Sequence, residues 1–211
     1  KYEIVRPVHT GSKGFKSTQP SRVDQKFMPL HFDTANFFKM RDKLDENATV
    51  TISQKLHGSS LRTSNTIVRR RLNWREKIAK SLGIKVQETE YDYVFGSRSV
   101  IKDPNNRNQI NFYDADVWTQ VGKTLEGLLP KNYIVYGEII GYTPSGAPIQ
   151  KGYTYDLKPK YCRLYVYRVA FVNNDGLTAD LSWAAVKEFC NNIGVCHVPE
   201  LLRCSLSEFD P

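Results

Sequence analysis

The run Tyr133-Ile134-Val135-Tyr136-Gly137-Glu138-Ile139-Ile140-Gly141 constrains the fold more than any other stretch of this 211-residue chain. It reads as a strand, apolar throughout except for one carboxylate, Glu138. Gly137 and Gly141 bracket that carboxylate, and glycine inside a strand marks a place where a ligand or another backbone comes close. A buried carboxylate without a partner is expensive, so Glu138 is expected to face a cleft and bind something. The ordinary alternative is an edge strand that turns Glu138 to solvent.

A second constraint lies upstream, at Gln54-Lys55-Leu56-His57-Gly58. The alternation through Val50 and Ile52 makes residues 49–54 a strand that delivers Lys55, with a glycine three residues on. A lysine so held, beside a backbone that can approach a nucleotide, is a candidate nucleophile. For an arbitrary Lys-x-x-Gly the common reading is a surface lysine in a strand-to-loop turn. His57 lies two residues from Lys55, and its expected role is to pack and orient the loop.

The remaining elements follow in order. Tyr2 and Ile4 suggest a first strand, followed by an irregular segment to residue 30, and Asp33 or Thr34 is expected to cap a helix through Phe37, Phe38, Met40, Arg41 and Leu44. Residues 61–68 read as a strand, and Leu72, Arg75, Ile78 and Leu82 recur at helical spacing in a basic segment ending at Gly83. That helix either lies along a phosphate backbone or is a solvated face. Tyr91, Tyr93 and Phe95 alternate along another strand that leads to Arg98, and residues 105–108 form a polar turn. Asp114 or Asp116 caps a helix whose buried stripe is expected to be Val117, Trp118, Val121, Leu125 and Leu128. After a Gly/Pro-rich loop over 142–160, residues 161–172 form a long strand with Tyr165, Tyr167, Val169 and Phe171 on one face. An amphipathic helix capped by Asp180 or Ser182 ends at Gly194.

Strands in meander order with helices between them predict an α+β fold of mainly antiparallel sheets with flanking helices and a nucleotide cleft. The net charge of +8, from 30 Lys+Arg against 22 Asp+Glu, favours a polyanionic partner, nucleic acid or nucleotide ahead of a membrane. No apolar run reaches the roughly eighteen residues of a membrane span. Cys162, Cys190, Cys196 and Cys204 have no C-x-x-C spacing and read as reduced packing residues. The expectation is a soluble intracellular protein, cytoplasmic or nuclear, without a membrane partner and monomeric.

Lys55, Arg98, Glu138 and the tyrosines at 165 and 167 thus fall at the ends of separate strands. Amine, guanidinium, carboxylate and aromatic are the groups needed to attack a phosphate, grip a ribose, hold a hydroxyl or metal water, and stack on a base. With these residues the chain resembles the nucleotidyltransferase (ATP-grasp-like ligase) domain of the ATP-dependent polynucleotide ligases, in particular the nick-sealing RNA ligases. Lys55-Leu56-His57-Gly58 resembles the first motif of that family, and Gln54 stands where such ligases can contact the adenine edge. Ser97-Arg98-Ser99 resembles the second, and Tyr136-Gly137-Glu138-Ile139-Ile140-Gly141 the third. Tyr165-Val166-Tyr167-Arg168-Val169 resembles a later segment in which Tyr167 would stack on the base.

The resemblance implies ATP and Mg²⁺ as cofactors, RNA with nicked or duplex ends as partner, and Lys55 as the nucleophile that becomes lysyl-AMP. It also implies nucleotide binding by Gln54, Leu56, Gly58, Arg98, Glu138 and Tyr167, with Glu138 contributing to the metal. Residues 1–211 would form one adenylyltransferase domain that stops short of the family's fourth and fifth motifs, no convincing copy of which follows the last helix. Ser60 occupies the position of a DNA-ligase arginine, with Arg62 two residues further on. A DNA ligase, a capping-type nucleotidyltransferase and a nucleic-acid-binding module without chemistry are the alternatives.

Overall fold

The computed structural model describes residues 22–32, 34–102 and 112–209. The expected strand at Tyr2 and Ile4, the cap at Asp33 and the turn at 105–108 lie outside the described residues. Within them, nine strands form one large sheet and one small sheet, accompanied by four α-helices.

The large sheet runs β4 (Ile101–Lys102), β3 (Thr89–Gly96), β2 (Ser59–Arg69), β5 (Tyr133–Gly141), β6 (Cys162–Val172), β7 (Thr178–Asp180), with β8 (Cys196–His197) also paired to β6. Every pairing is antiparallel except β6 with β8. β5 is hydrogen-bonded on both sides, so the edge-strand alternative for Glu138 does not hold. The position explains the apolar run. Val135 and Ile139 pack toward α3 (Val117–Lys123) and α4 (Trp183–Ile193) on one face, while Ile134 and Tyr136 pack with Ala170, Val172 and Phe27 on the other.

The pairing of β5 with β6 slips at Tyr136/Gly137. Tyr136 faces Arg168 and Gly137 faces Val166, which leaves Tyr167 as the extra residue of a β-bulge. This corrects the single face expected for Tyr165, Tyr167, Val169 and Phe171. Leu164, Val166 and Val169 join the cluster under α3 and α4, whereas Tyr165 and Tyr167 pack with Ile140 and Leu56 on the opposite side. A strict alternation cannot cross a bulge, because one inserted residue exchanges the faces beyond it.

The first strand, β1 (Thr49–Ser53), does not enter the large sheet. It pairs with β9 (Glu200–Ser205) in a separate two-stranded sheet, so residues 54–58 bridge the two sheets. The expected helix near residue 37 is short: Asn36 caps α1 (Phe37–Met40), followed by one 3-10 turn, and neither buries a residue. The basic segment forms α2 (Trp74–Ser81). Ser182 caps α4, which ends at Gly194 in the left-handed conformation, φ 70°.

α3 begins as expected, with Asp116 accepting from the Thr119 N–H at 3.1 Å, but it stops at Lys123. Tight turns then carry the chain past Gly127, φ +81°, and rotate the stripe. Leu125 and Leu129 are buried and Leu128 is 47% exposed, which corrects the expectation for Leu128. Leu125→Ala should therefore lower stability by about 2–5 kcal/mol, and Leu128→Ala by less than about 0.5 kcal/mol, in denaturant unfolding at constant m.

Candidate active site

The bridge from β1 to β2 is fixed residue by residue. The Gln54 N–H donates to the Pro199 carbonyl at 2.9 Å, which ties the bridge to the chain entering β9. Leu56 is buried with Ile140 and Val198 and anchors the centre of the bridge, while the side chains of Gln54, Lys55 and His57 stay exposed. The His57 N–H donates to the Tyr155 hydroxyl at 2.7 Å, and its ring lies 4.7 Å from that of Tyr153. His57 thus packs the bridge against the 142–160 loop. A Cβ at Gly58 would stand 2.1 Å from the Ile139 carbonyl oxygen, so the absent side chain admits the backbone of β5.

That close approach completes the environment of Glu138. Its Oε1 accepts from the Gly58 N–H at 2.9 Å and its Oε2 from the Ser60 hydroxyl at 3.4 Å. The Ser60 oxygen is also 3.3 Å from the Tyr167 hydroxyl. Desolvation raises the Glu138 pKa above the ordinary glutamate value, opposed by the Gly58 N–H, the Ser60 hydroxyl and the charge of Lys55. Burial likewise raises the Tyr167 pKa, against the Ser60 bond and the charges of Arg168 and Arg98. The charge of Lys55 thus acts on Glu138 and that of Arg98 on Tyr167, with Ser60 bonded to both Glu138 and Tyr167. Ser60 faces Glu138 directly across β2 and β5, and only the strand register could have revealed it.

Two further groups hold this arrangement. The Trp118 indole N–H donates to the Ser60 carbonyl at 3.1 Å. Arg62, 3% exposed, donates from Nη1 to the Met28 carbonyl at 2.6 Å and from Nε to the Ser97 carbonyl at 3.2 Å. Arg62 thus fastens the residue before Arg98, and burial lowers its own pKa. Residues 27–32 cover the adjoining face. The Tyr136 hydroxyl donates to the Pro29 carbonyl at 2.9 Å, and His31 meets Tyr167 edge-on at 5.0 Å. The Arg168 guanidinium lies between the Phe32 and Tyr136 rings, 4.3 and 4.5 Å from their centroids. No local pattern marks His31 or Phe32, because both reach this face from residues without regular structure.

Among the described residues no group of three or more His, Cys, Asp and Glu is arranged to hold a metal. A single carboxylate fits magnesium, which keeps several waters and binds largely through substrate phosphates. A polar depression of about 520 Å³ between Asn65, Tyr91, Tyr93 and Lys131 lies further along β2 and is not part of this site.

The RNA ligase family model matches residues 48–211, and the chain belongs to that family. Among solved structures, Naegleria gruberi RNA ligase with pyrophosphate matches with 17% identity and a TM-score of 0.53, over 90% of this chain and 46% of that one. An apo mutant of that ligase matches with 16% identity and a TM-score of 0.50, over 83% and 43%. The likeness is one of fold, and this chain spans about half the length of those ligases. Comparison with curated proteins found no match.

Gly58→Ala should destabilise the protein by about 1–3 kcal/mol, read as a lower unfolding midpoint, because the new methyl displaces β5. Glu138→Gln tests the burial of the carboxylate. Its folded pKa is raised, so its contribution to stability is full below the unfolded value of about 4.3 and is lost as pH rises through the folded value. The difference in melting temperature should shift in favour of Glu138→Gln as pH rises through that window; a pH-independent difference would contradict it.

Proposed function

We propose that the chain is the adenylyltransferase domain of an ATP-dependent RNA ligase. The observation that carries this reading is the Gly58–Glu138 hydrogen bond, which sets the bridge bearing Lys55 against the Glu138 strand in a chain of the RNA ligase family. In this reading the Lys55 amine, once unprotonated, attacks the α-phosphorus of ATP. A phosphorus–nitrogen bond forms, the bond to the bridging oxygen of the β-phosphate breaks, and pyrophosphate leaves with that electron pair. AMP then passes from Lys55 to an RNA 5′-phosphate, and a 3′-hydroxyl displaces it to make the phosphodiester.

The chain's own groups have separate tasks. Gly58 and Ser60 fix the Glu138 carboxylate beside Lys55, where it accepts from a ribose hydroxyl or a metal-bound water. Tyr167 offers its ring to the adenine, with Gln54 and Leu56 on the bridge bordering the nucleotide. Arg98, on the turn that Arg62 fastens, grips the ribose. Magnesium, held by phosphate oxygens and through water by Glu138, would neutralise charge on the triphosphate. The pyrophosphate bound by the N. gruberi ligase supports the same choice of leaving group.

Incubation with Mg²⁺ and α-labelled ATP should leave label on the protein in a denaturing gel. Lys55→Ala should abolish it, and γ-labelled ATP should give none. Label from GTP in place of ATP would move the chain to the capping type. Absence of label from this chain and from any longer chain containing it would refute adenylyl transfer.

A further inference from the structure

We propose that α2 and its flanks form an RNA-gripping arm that holds the strand at a distance from Lys55; this rests on the RNA-ligase reading above. From Arg69, the last residue of β2, residues 70–88 leave the large sheet before β3. Residues 69–88 carry Arg69, Arg70, Arg71, Arg75, Lys77, Lys80 and Lys85 against Glu76 and Glu88, seven minus two, or five of the chain's eight net positive charges. α2 buries none of its residues. A helix this short is marginal by itself, so local interactions must hold it.

Those interactions are present. Asn73 and Glu76 form a reciprocal capping box at 2.9 and 2.8 Å. Arg70 pairs with Glu76 and donates to the Gln87 carbonyl, and Lys80 pairs with Glu88 at 2.6 Å. Both acids are thereby spent on bracing. Arg69, Arg71, Arg75, Lys77 and Lys85 are exposed, and none is in an ion pair among the described residues. Trp74, Ile78 and Leu82 are 67, 50 and 72% exposed and follow one another at four-residue steps, a single stripe flanked by Arg75 and Lys77. The Arg75 guanidinium lies over the Trp74 ring, 5.3 Å from its centroid.

A surplus of cations beside an exposed indole suits phosphates and an unpaired base. Protein interfaces are depleted in charge at their centre, and membrane binding scales with buried apolar area, of which a stripe of three side chains offers little. Geometry sets the reach. Ser60 faces Glu138, and the nine residues from there to Arg69 extend about 30 Å at roughly 3.3 Å each. That distance corresponds to about ten base steps at ~3 Å per step.

The test measures fluorescence anisotropy of nicked RNA duplexes with about 24 or about 8 base pairs, using the whole chain. Arg71→Gln, Arg75→Gln and Lys77→Gln combined should weaken the long duplex tenfold or more near 0.1 M salt. They should also lower the log–log salt slope by about 2–3, near 0.9 per lost phosphate contact. Trp74→Ala should weaken an RNA with unpaired flanking bases by about 5- to 100-fold. The short duplex and lysyl-AMP formation should be unchanged, as should the melting temperature, since the substituted side chains are all exposed. Equal affinity and salt slope in variant and parent overturn the proposal, and loss of binding to anionic vesicles in that variant would then assign the arm to a membrane. Equal loss on both duplex lengths also overturns it. A parent that takes no AMP, either as this chain or within any longer chain containing it, yet loses long-duplex binding in the variant refutes the adenylyltransferase reading and leaves the arm as an RNA-binding surface.

Discussion

The bond from the Gly58 N–H to the Glu138 carboxylate is the contact on which the rest of the site depends. It links the bridge between the two sheets to the central strand of the larger one. The bond requires residue 58 to lie almost in van der Waals contact with the Ile139 carbonyl, and glycine alone permits this. A backbone donor on a desolvated carboxylate also offsets the cost of placing that charge on a buried strand. Glycine in Lys-x-x-Gly is thus a packing residue here, whatever room it also leaves for a nucleotide.

A second layer of groups keeps those atoms in register. Trp118 holds the Ser60 carbonyl from α3, and Arg62 clasps the carbonyls of Met28 and Ser97 from β2. The bulge in β6 presents Tyr167 beside Ser60 and sets Arg168 in a stack of rings. The three adjoining strands β2, β5 and β6 therefore each contribute groups to the site. Segment 27–32 closes the same face without forming a strand or an α-helix.

How much of this was legible follows from where the information lies. The single carboxylate in β5, the lysine after β1 and the ends of α4 announce themselves in local pattern, because strand alternation and caps are local physics. The partnership of β1 with β9 was not legible, since it joins residues about 150 positions apart and leaves no mark on either strand. The bulge at Tyr167 defeated a face assignment that assumed unbroken alternation. The stripe of α3 failed at Leu128 for a related reason: helical spacing was continued past Lys123, where the helix ends. Ser60 needed the β2–β5 register, and His31 and Phe32 needed a path that no periodicity encodes.

The three tryptophans are distributed so that each marks a different part of the machine. Trp118 is buried and bonded to the backbone of the site, and Trp74 stands exposed on the basic arm. Trp183 donates to Glu200 at 2.7 Å, on the strand that pairs with β1. Their indoles sit in dry, wet and ion-paired surroundings respectively, so their emission spectra should separate. The chain thereby carries built-in fluorophores for the face around Ser60 and Glu138, its arm and its small sheet, and variants that keep one tryptophan at a time would follow each without an added dye.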